Sequence, residues 1–239
     1  MKLYDDIIQK YRMLLEAEEG RGLPLGITGW PQVSDRSMIL RSEMAYELGG
    51  EGLPAIGATL VTAQEKLVPE DGIVLSGRDL PEIKGDVPYA RIALVRVGEE
   101  ALGEGQALYG AIRALESTRY HFYPEGFMMR VSASRGRECV RVGRAALEKG
   151  LDFTKVGNQL LDVFHKNPFV EAVQVWYVNR EAFDYRTLEE YGREAEKITK
   201  TIDHMVKSAV TDCGSCSLQR VCDEVEGLRE LHFRGKLIK

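Results

Sequence analysis

The chain has 239 residues, 44% hydrophobic and 29% charged, enough to bury a sizeable core in one large domain or two small ones. Its 32 lysines and arginines against 37 aspartates and glutamates leave a net charge of −5, which argues against broad nucleic-acid binding and requires any anionic ligand to be held by a local cluster. The start Met1-Lys2-Leu3-Tyr4-Asp5-Asp6 lacks the basic opening of a secretory signal and no apolar run approaches a membrane span, so the expected location is the cytoplasm, with no membrane partner.

In chain order, Leu3, Ile7, Ile8, Tyr11, Leu14 and Leu15 share one helical face, which Gly20-Arg21-Gly22 and Pro24 bring to an end. An irregular arm carrying Gly26, Gly29, Trp30 and Pro31 leads to a second part that begins near Met38. There, short segments bounded by Gly, Pro or charged clusters predict strands over 58–63, 72–76, 89–97, 127–134 and 170–178. Apolar residues at helical spacing predict helices over 105–119, 137–149 and 154–165, the last capped by Thr154. This alternation points to an α+β fold, a mixed sheet with helices packed on it. Leu188, Tyr191, Ala195, Ile198, Ile202, Met205 and Ala209 then recur at intervals of three and four, an unbroken seam of roughly 33 Å that packs a long C-terminal helix against the core. The expected organisation is an N-terminal helix and arm over 1–37, an α+β domain over 38–209 and a cysteine-rich tail over 210–239.

The tail carries the chemistry most specific to this chain. In Asp212-Cys213-Gly214-Ser215-Cys216, two intervening residues let one turn aim both sulfurs at a single centre, and Cys222 adds a third thiolate. In a reducing compartment this spacing suggests metal binding in preference to disulfides. Cys213, Cys216 and Cys222 are therefore the candidate ligands of a 4Fe–4S iron–sulfur cluster or, alternatively, of zinc. The fourth place falls to His232 or Cys139, although Cys139, with Val142, Gly143 and Ala146 on the same helical side, reads better as a small buried residue. Unligated thiols on a tail are the plainer alternative.

A second cluster gathers Arg130, Arg135, Arg137, Arg141 and Arg144 around a strand-to-helix junction at 132–136. Hydroxyls, a glycine and free backbone N–H groups at a helix start can hold a phosphate or carboxylate, and arginines add bidentate donors. Ser134, Arg135, Arg137 and Arg141 are the candidate cofactor-binding residues on that reading; a solvated basic helix face capped by Ser134 is the other. No histidine has a spaced partner that marks a catalytic pair, and no nucleotide or nucleophile motif is present.

Four segments in the same order resemble the middle region of acetyl-CoA synthase, the β subunit of the carbon monoxide dehydrogenase/acetyl-CoA synthase complex. They are Glu43-Met44-Ala45-Tyr46-Glu47-Leu48-Gly49-Gly50, Gly77-Arg78-Asp79-Leu80, Asp152-Phe153-Thr154-Lys155-Val156-Gly157 and Val173-Gln174-Val175-Trp176-Tyr177-Val178. The resemblance, over about 38–209, implies an α+β domain, a place in anaerobic one-carbon metabolism, and arginines that meet CoA. It also implies partners among carbon monoxide dehydrogenase/acetyl-CoA synthase or corrinoid proteins. Cys213 and Cys216 resemble the opening Cys-x-x-Cys of the family's four-cysteine pattern. Cys222 comes sooner than the family's third cysteine, no fourth follows, and the later Cys-Gly-Cys that binds the outer nickel is missing. The expectation is an accessory protein for docking, electron transfer or cofactor handling, with acetyl-CoA synthesis by this chain alone not expected. An enzyme acting on a CoA-type or corrinoid-linked substrate, or a zinc-stabilised interaction module, are the alternatives.

Overall fold

The computed structural model describes residues 2–98, 106–129 and 136–207. Two sheets and five α-helices form an α+β fold among them. The five-stranded sheet is built from β1 (Arg21–Gly22), β3 (Ala55–Thr62), β4 (Gly72–Ser76), β5 (Tyr89–Val97) and β8 (Val170–Val178), in the order β1-β4-β8-β5-β3. It is mixed: β3 runs parallel to β5 and β4 parallel to β8, while the central pair β5 and β8 is antiparallel. That pair is buried along nearly its whole length, which is why Ile92-Ala93-Leu94-Val95 and Val175-Trp176-Tyr177-Val178 read as continuous apolar runs and not as alternations.

Helices α1 (Asp5–Glu16), α2 (Gln106–Ser117) and α5 (Tyr185–Lys207) gather around β3, and α4 (Phe153–Phe164) lies on β4 and β8. At α4 the approach is close: a Cβ at Gly157 would meet Ile73 Cδ1 and Cγ2 at 2.8 Å each. The seam of α5 faces inward as its spacing predicts, with Leu188, Ala195, Ile198 and Ile202 all buried. Tyr11 of α1 packs edge-on to Tyr191 and donates its hydroxyl to the Leu188 carbonyl at 3.3 Å, so the N-terminal helix joins the same core. No helix among the described residues is long and apolar enough to cross a membrane.

A second, antiparallel sheet of three strands, β2 (Met44–Leu48), β7 (Val140–Gly143) and β6 (Phe127–Met128), stands beside the first in the order β2-β7-β6. Here the sequence expectation is corrected. Residues 137–149, expected to form one helix, instead form β7 followed by the five-residue α3 (Arg144–Glu148). Val140 and Val142 point into the core while Arg141 pairs outward with Glu47, a two-residue period stabilised by the ladder to β2. The strand expected over 127–134 is seen only at Phe127–Met128, and 130–135 lie outside the described residues. The cap of α4 is Asp152, whose carboxylate accepts from the Lys155 backbone N–H at 2.8 Å, two residues earlier than the expected Thr154.

The run 136–138 ties the two sheets together. It bridges the outer edge of β3, with Gly57 N–H donating to the Gly136 carbonyl and Glu138 N–H to the Ala55 carbonyl, both at 3.1 Å. Parallel to this, Gly49 N–H donates to the Val87 carbonyl at 2.8 Å.

Candidate functional site

Where 136–138 crosses β3, a buried charge cluster forms. Arg91 lies beside Gly57 in the β3–β5 register, and its guanidinium grips Glu138 through two bonds, Nε to Oε1 and Nη2 to Oε2, each 2.7 Å. Both side chains are 1% exposed. Arg119, from the 3-10 turn after α2, brings Nη1 to 3.5 Å from Glu138 Oε2. Burial by itself would lower the Arg91 pKa; the Glu138 carboxylate overrides it and holds the guanidinium above its ordinary range. One carboxylate thus faces two guanidiniums, which leaves a unit of positive charge. The cluster exists because position 57 is glycine, since a Cβ there would stand 2.4 Å from Glu138 Oε2 and 2.7 Å from Glu138 Cβ.

Above the cluster opens a cavity of about 710 Å³ between the edge of β3, the end of α2 and one face of α5. Tyr185 and Thr199 are the first and last α5 residues in its wall, a span of about 21 Å along the helix at 1.5 Å per residue. Its described lining includes Arg91, Arg113, Arg119, Arg137, Arg186 and Arg193. Against these six arginines stand Glu116, Glu189 and Glu196 in the lining, with Glu138 behind Arg91 and Arg119 and Glu190 beside Arg186, so among the described residues a smaller positive excess remains, opposite in sign to the charge of the chain as a whole. On the α2 side Arg113 pairs with Glu116 at 2.6 Å; Thr199 donates to Glu116 at 2.9 Å and lies 2.9 Å from the Tyr4 hydroxyl, which locks α1, α2 and α5 into one wall. On the α5 side Glu189 pairs with Arg193 at 2.9 Å and Glu196 with Lys200 at 3.0 Å. Arg137 is exposed and has no ion-pair partner among the described residues.

Of the candidate binding residues, Arg137 lines this cavity and Arg141 does not. The Arg141 guanidinium is committed to Glu47 at 2.7 Å and to the Ile39 carbonyl at 3.2 Å. Gly136 leads through a turn into β7, so the helix start expected at that junction is replaced by a strand; the next helix begins at Arg144. Ser134 and Arg135 lie outside the described residues, as do Cys213, Cys216 and Cys222. Cys139 is buried as expected, its thiol donating to the Gly49 carbonyl at 2.9 Å. Among the described residues no three His, Cys, Asp or Glu side chains are grouped so as to hold a metal ion.

The sequence reading passed over Arg91, Glu138, Arg119 and Gly57. The signal was present: an arginine inside the apolar strand Tyr89-Ala90-Arg91-Ile92-Ala93-Leu94 has to be paired, because a lone buried guanidinium is prohibitively costly. The partner, 47 positions away, could not be picked from several nearby acids by sequence alone.

No curated protein sequence matches the chain. The sequence model of one protein family, described as CO dehydrogenase/acetyl-CoA synthase complex beta subunit, matches residues 33–182, which hold the three-stranded sheet, most of the five-stranded sheet and the Arg91–Glu138–Arg119 cluster. With more than half of its length matched in this way, the chain belongs to the CO dehydrogenase/acetyl-CoA synthase complex beta subunit family.

Proposed function

We propose that this chain is an accessory protein of carbon monoxide dehydrogenase/acetyl-CoA synthase metabolism, which associates with that complex or its corrinoid proteins and handles a phosphate-bearing cofactor of the CoA type. The observation that carries the reading is the cation surplus at one end of the cavity among the described residues, where Arg91 and Arg119 share the single carboxylate of Glu138 and Arg137 adds a further guanidinium, in a chain of net charge −5. The Arg91–Glu138–Arg119 cluster supplies fixed positive potential from below, and Arg137 an exposed guanidinium with no ion-pair partner among the described residues, the group best suited to bidentate contact with phosphate. The family membership supports the metabolic setting. Calorimetric titration with CoA tests it. One lost charge-assisted contact is worth about 1.5–3 kcal/mol when desolvated, so Arg137→Ala is expected to weaken CoA binding at least about tenfold without lowering the melting temperature. Raised salt should weaken it too. Absence of CoA binding by the wild type, or equal binding by the variant, overturns the reading.

The same proposal gives the tail a Cys-ligated centre on Cys213, Cys216 and Cys222, an iron–sulfur cluster before zinc, supported by their spacing. Metal analysis and the absorption spectrum of anaerobically prepared protein test this. Any one of the three Cys→Ser changes is expected to lower bound metal sharply and Cys139→Ser to leave it unchanged, whereas wild-type protein with neither iron nor zinc refutes it.

A further inference from the structure

The two long walls of the cavity differ in charge. Along α5 the wall neutralises itself, since Arg186 is matched by Glu190, Glu189 by Arg193 and Glu196 by Lys200. Surplus positive charge sits on the other side, where Arg119 and Arg91 share one carboxylate and Arg137 has none among the described residues. Phosphates therefore belong at the end formed by the turn after α2 and by Gly136-Arg137, and a neutral group along α5. At that same end stands Tyr120, 44% exposed and one of the few large apolar side chains on the described surface. Arg119 holds it in place, with its guanidinium carbon 4.7 Å from the ring centroid and Nη2 donating to the phenol oxygen at 2.7 Å. A ring fixed beside guanidiniums is a stacking platform next to a phosphate site, the pairing that recognises nucleotides without reading base edges. Among the described residues the rim leaves room for such a ligand: Gly52 and Gly136 both have positive φ, and a Cβ built on either meets none of their atoms within 4 Å.

From this geometry we infer that the cavity recognises the nucleotide end of its ligand, the base stacking on Tyr120 and the phosphates meeting Arg119 and Arg137, with the remainder extending along α5. The inference rests on the anionic-ligand reading above and narrows it to a nucleoside diphosphate class.

Calorimetry with four probes, ADP, inorganic pyrophosphate, pantetheine and CoA, separates the two. ADP is expected to bind and to compete with CoA, pantetheine to do neither, and pyrophosphate to bind more weakly than ADP. Tyr120→Ala is expected to weaken ADP binding about tenfold, the scale of one lost base stack, and Tyr120→Phe to hold it within about twofold. Melting curves of both variants close to wild type establish that the fold is intact. CoA binding without ADP binding, pyrophosphate binding as tight as ADP, or full ADP affinity in Tyr120→Ala each overturns the nucleotide inference while the anionic cavity stands. If neither CoA nor ADP binds, both fall together.

Discussion

Replacing Glu138 by Gln keeps the shape of the side chain and removes its charge, which isolates the electrostatic part of the Arg91–Glu138–Arg119 cluster. Arg91 is 1% exposed and its two bonds to Glu138 are 2.7 Å each, so burial leaves its guanidinium little solvation to offset the lost carboxylate. The guanidinium cannot shed its proton to escape, and Arg119 then faces it as a like charge. Breaking a buried pair of this kind costs about 3–5 kcal/mol. At roughly 2–4 °C per kcal/mol for a chain of this size, the melting temperature should fall by about 6–20 °C. Differential scanning calorimetry of Glu138→Gln measures it, with Glu190→Gln as the control: the Arg186–Glu190 pair is 91% and 53% exposed and its loss should be close to silent. The double variant Arg91→Met with Glu138→Leu should recover most of the loss, because two apolar side chains of similar volume need no partner. A Glu138→Gln melting temperature within about 2 °C of wild type would refute the claim that this pair is dry and mutually dependent.

The glycine beneath the pair gives a second expectation: Gly57→Ala drives a Cβ into Glu138 and should cost about 1–3 kcal/mol, and about as much when Glu138 is already Gln, because Gln keeps the shape that the Cβ meets; denaturant titration of the four proteins checks both values. The hydroxyls of Tyr89 and Tyr177 are buried with no hydrogen-bond partner among the described residues, so Tyr177→Phe should stabilise the fold by about 1 kcal/mol; a loss of that size would show that the hydroxyl is satisfied. Burial raises the Asp5 carboxyl above its ordinary value of 3.8 despite the hydrogen bond from Thr62. The folded chain then holds that proton more tightly than the unfolded chain, and stability falls as pH rises from 3.8 through the raised value. Asp5→Asn should accordingly melt higher than wild type near neutral pH and lose that advantage below 3.8; the same difference at both ends of the range would refute the linkage.

The strands 72–76, 89–97 and 170–178 were legible in the sequence to the residue, because their apolar runs are bounded by turn residues and their burial needs no knowledge of partners. The seam of α5 was legible for the same reason, up to the last described residues. Residues 137–149 were misread because Cys139, Val142, Gly143 and Ala146 fit a helical period as well as Val140 and Val142 fit a strand period; the ladder to β2 decided between them, and β2 itself shows only the short alternation of Tyr46 and Leu48. The arginine-rich segment was noticed for its composition, yet the site depends on which arginines meet which walls. Arg141 is taken up by Glu47, whereas Arg91, hidden in an apolar strand, underlies the cavity.

The position of β8 has a consequence for the chain as it is made. This strand lies between β4 and β5 in space but follows both by more than 70 residues in sequence. Until residue 178 has left the ribosome, β4 and β5 each present an unpaired apolar edge, and neither the parallel ladder to Gly72–Ser76 nor the antiparallel one to Tyr89–Val97 can close. The nascent protein must therefore wait with its most hydrophobic strands uncovered for several seconds at ordinary elongation rates of about 5–20 residues per second, a window in which chaperone binding and self-association compete with completion of the sheet.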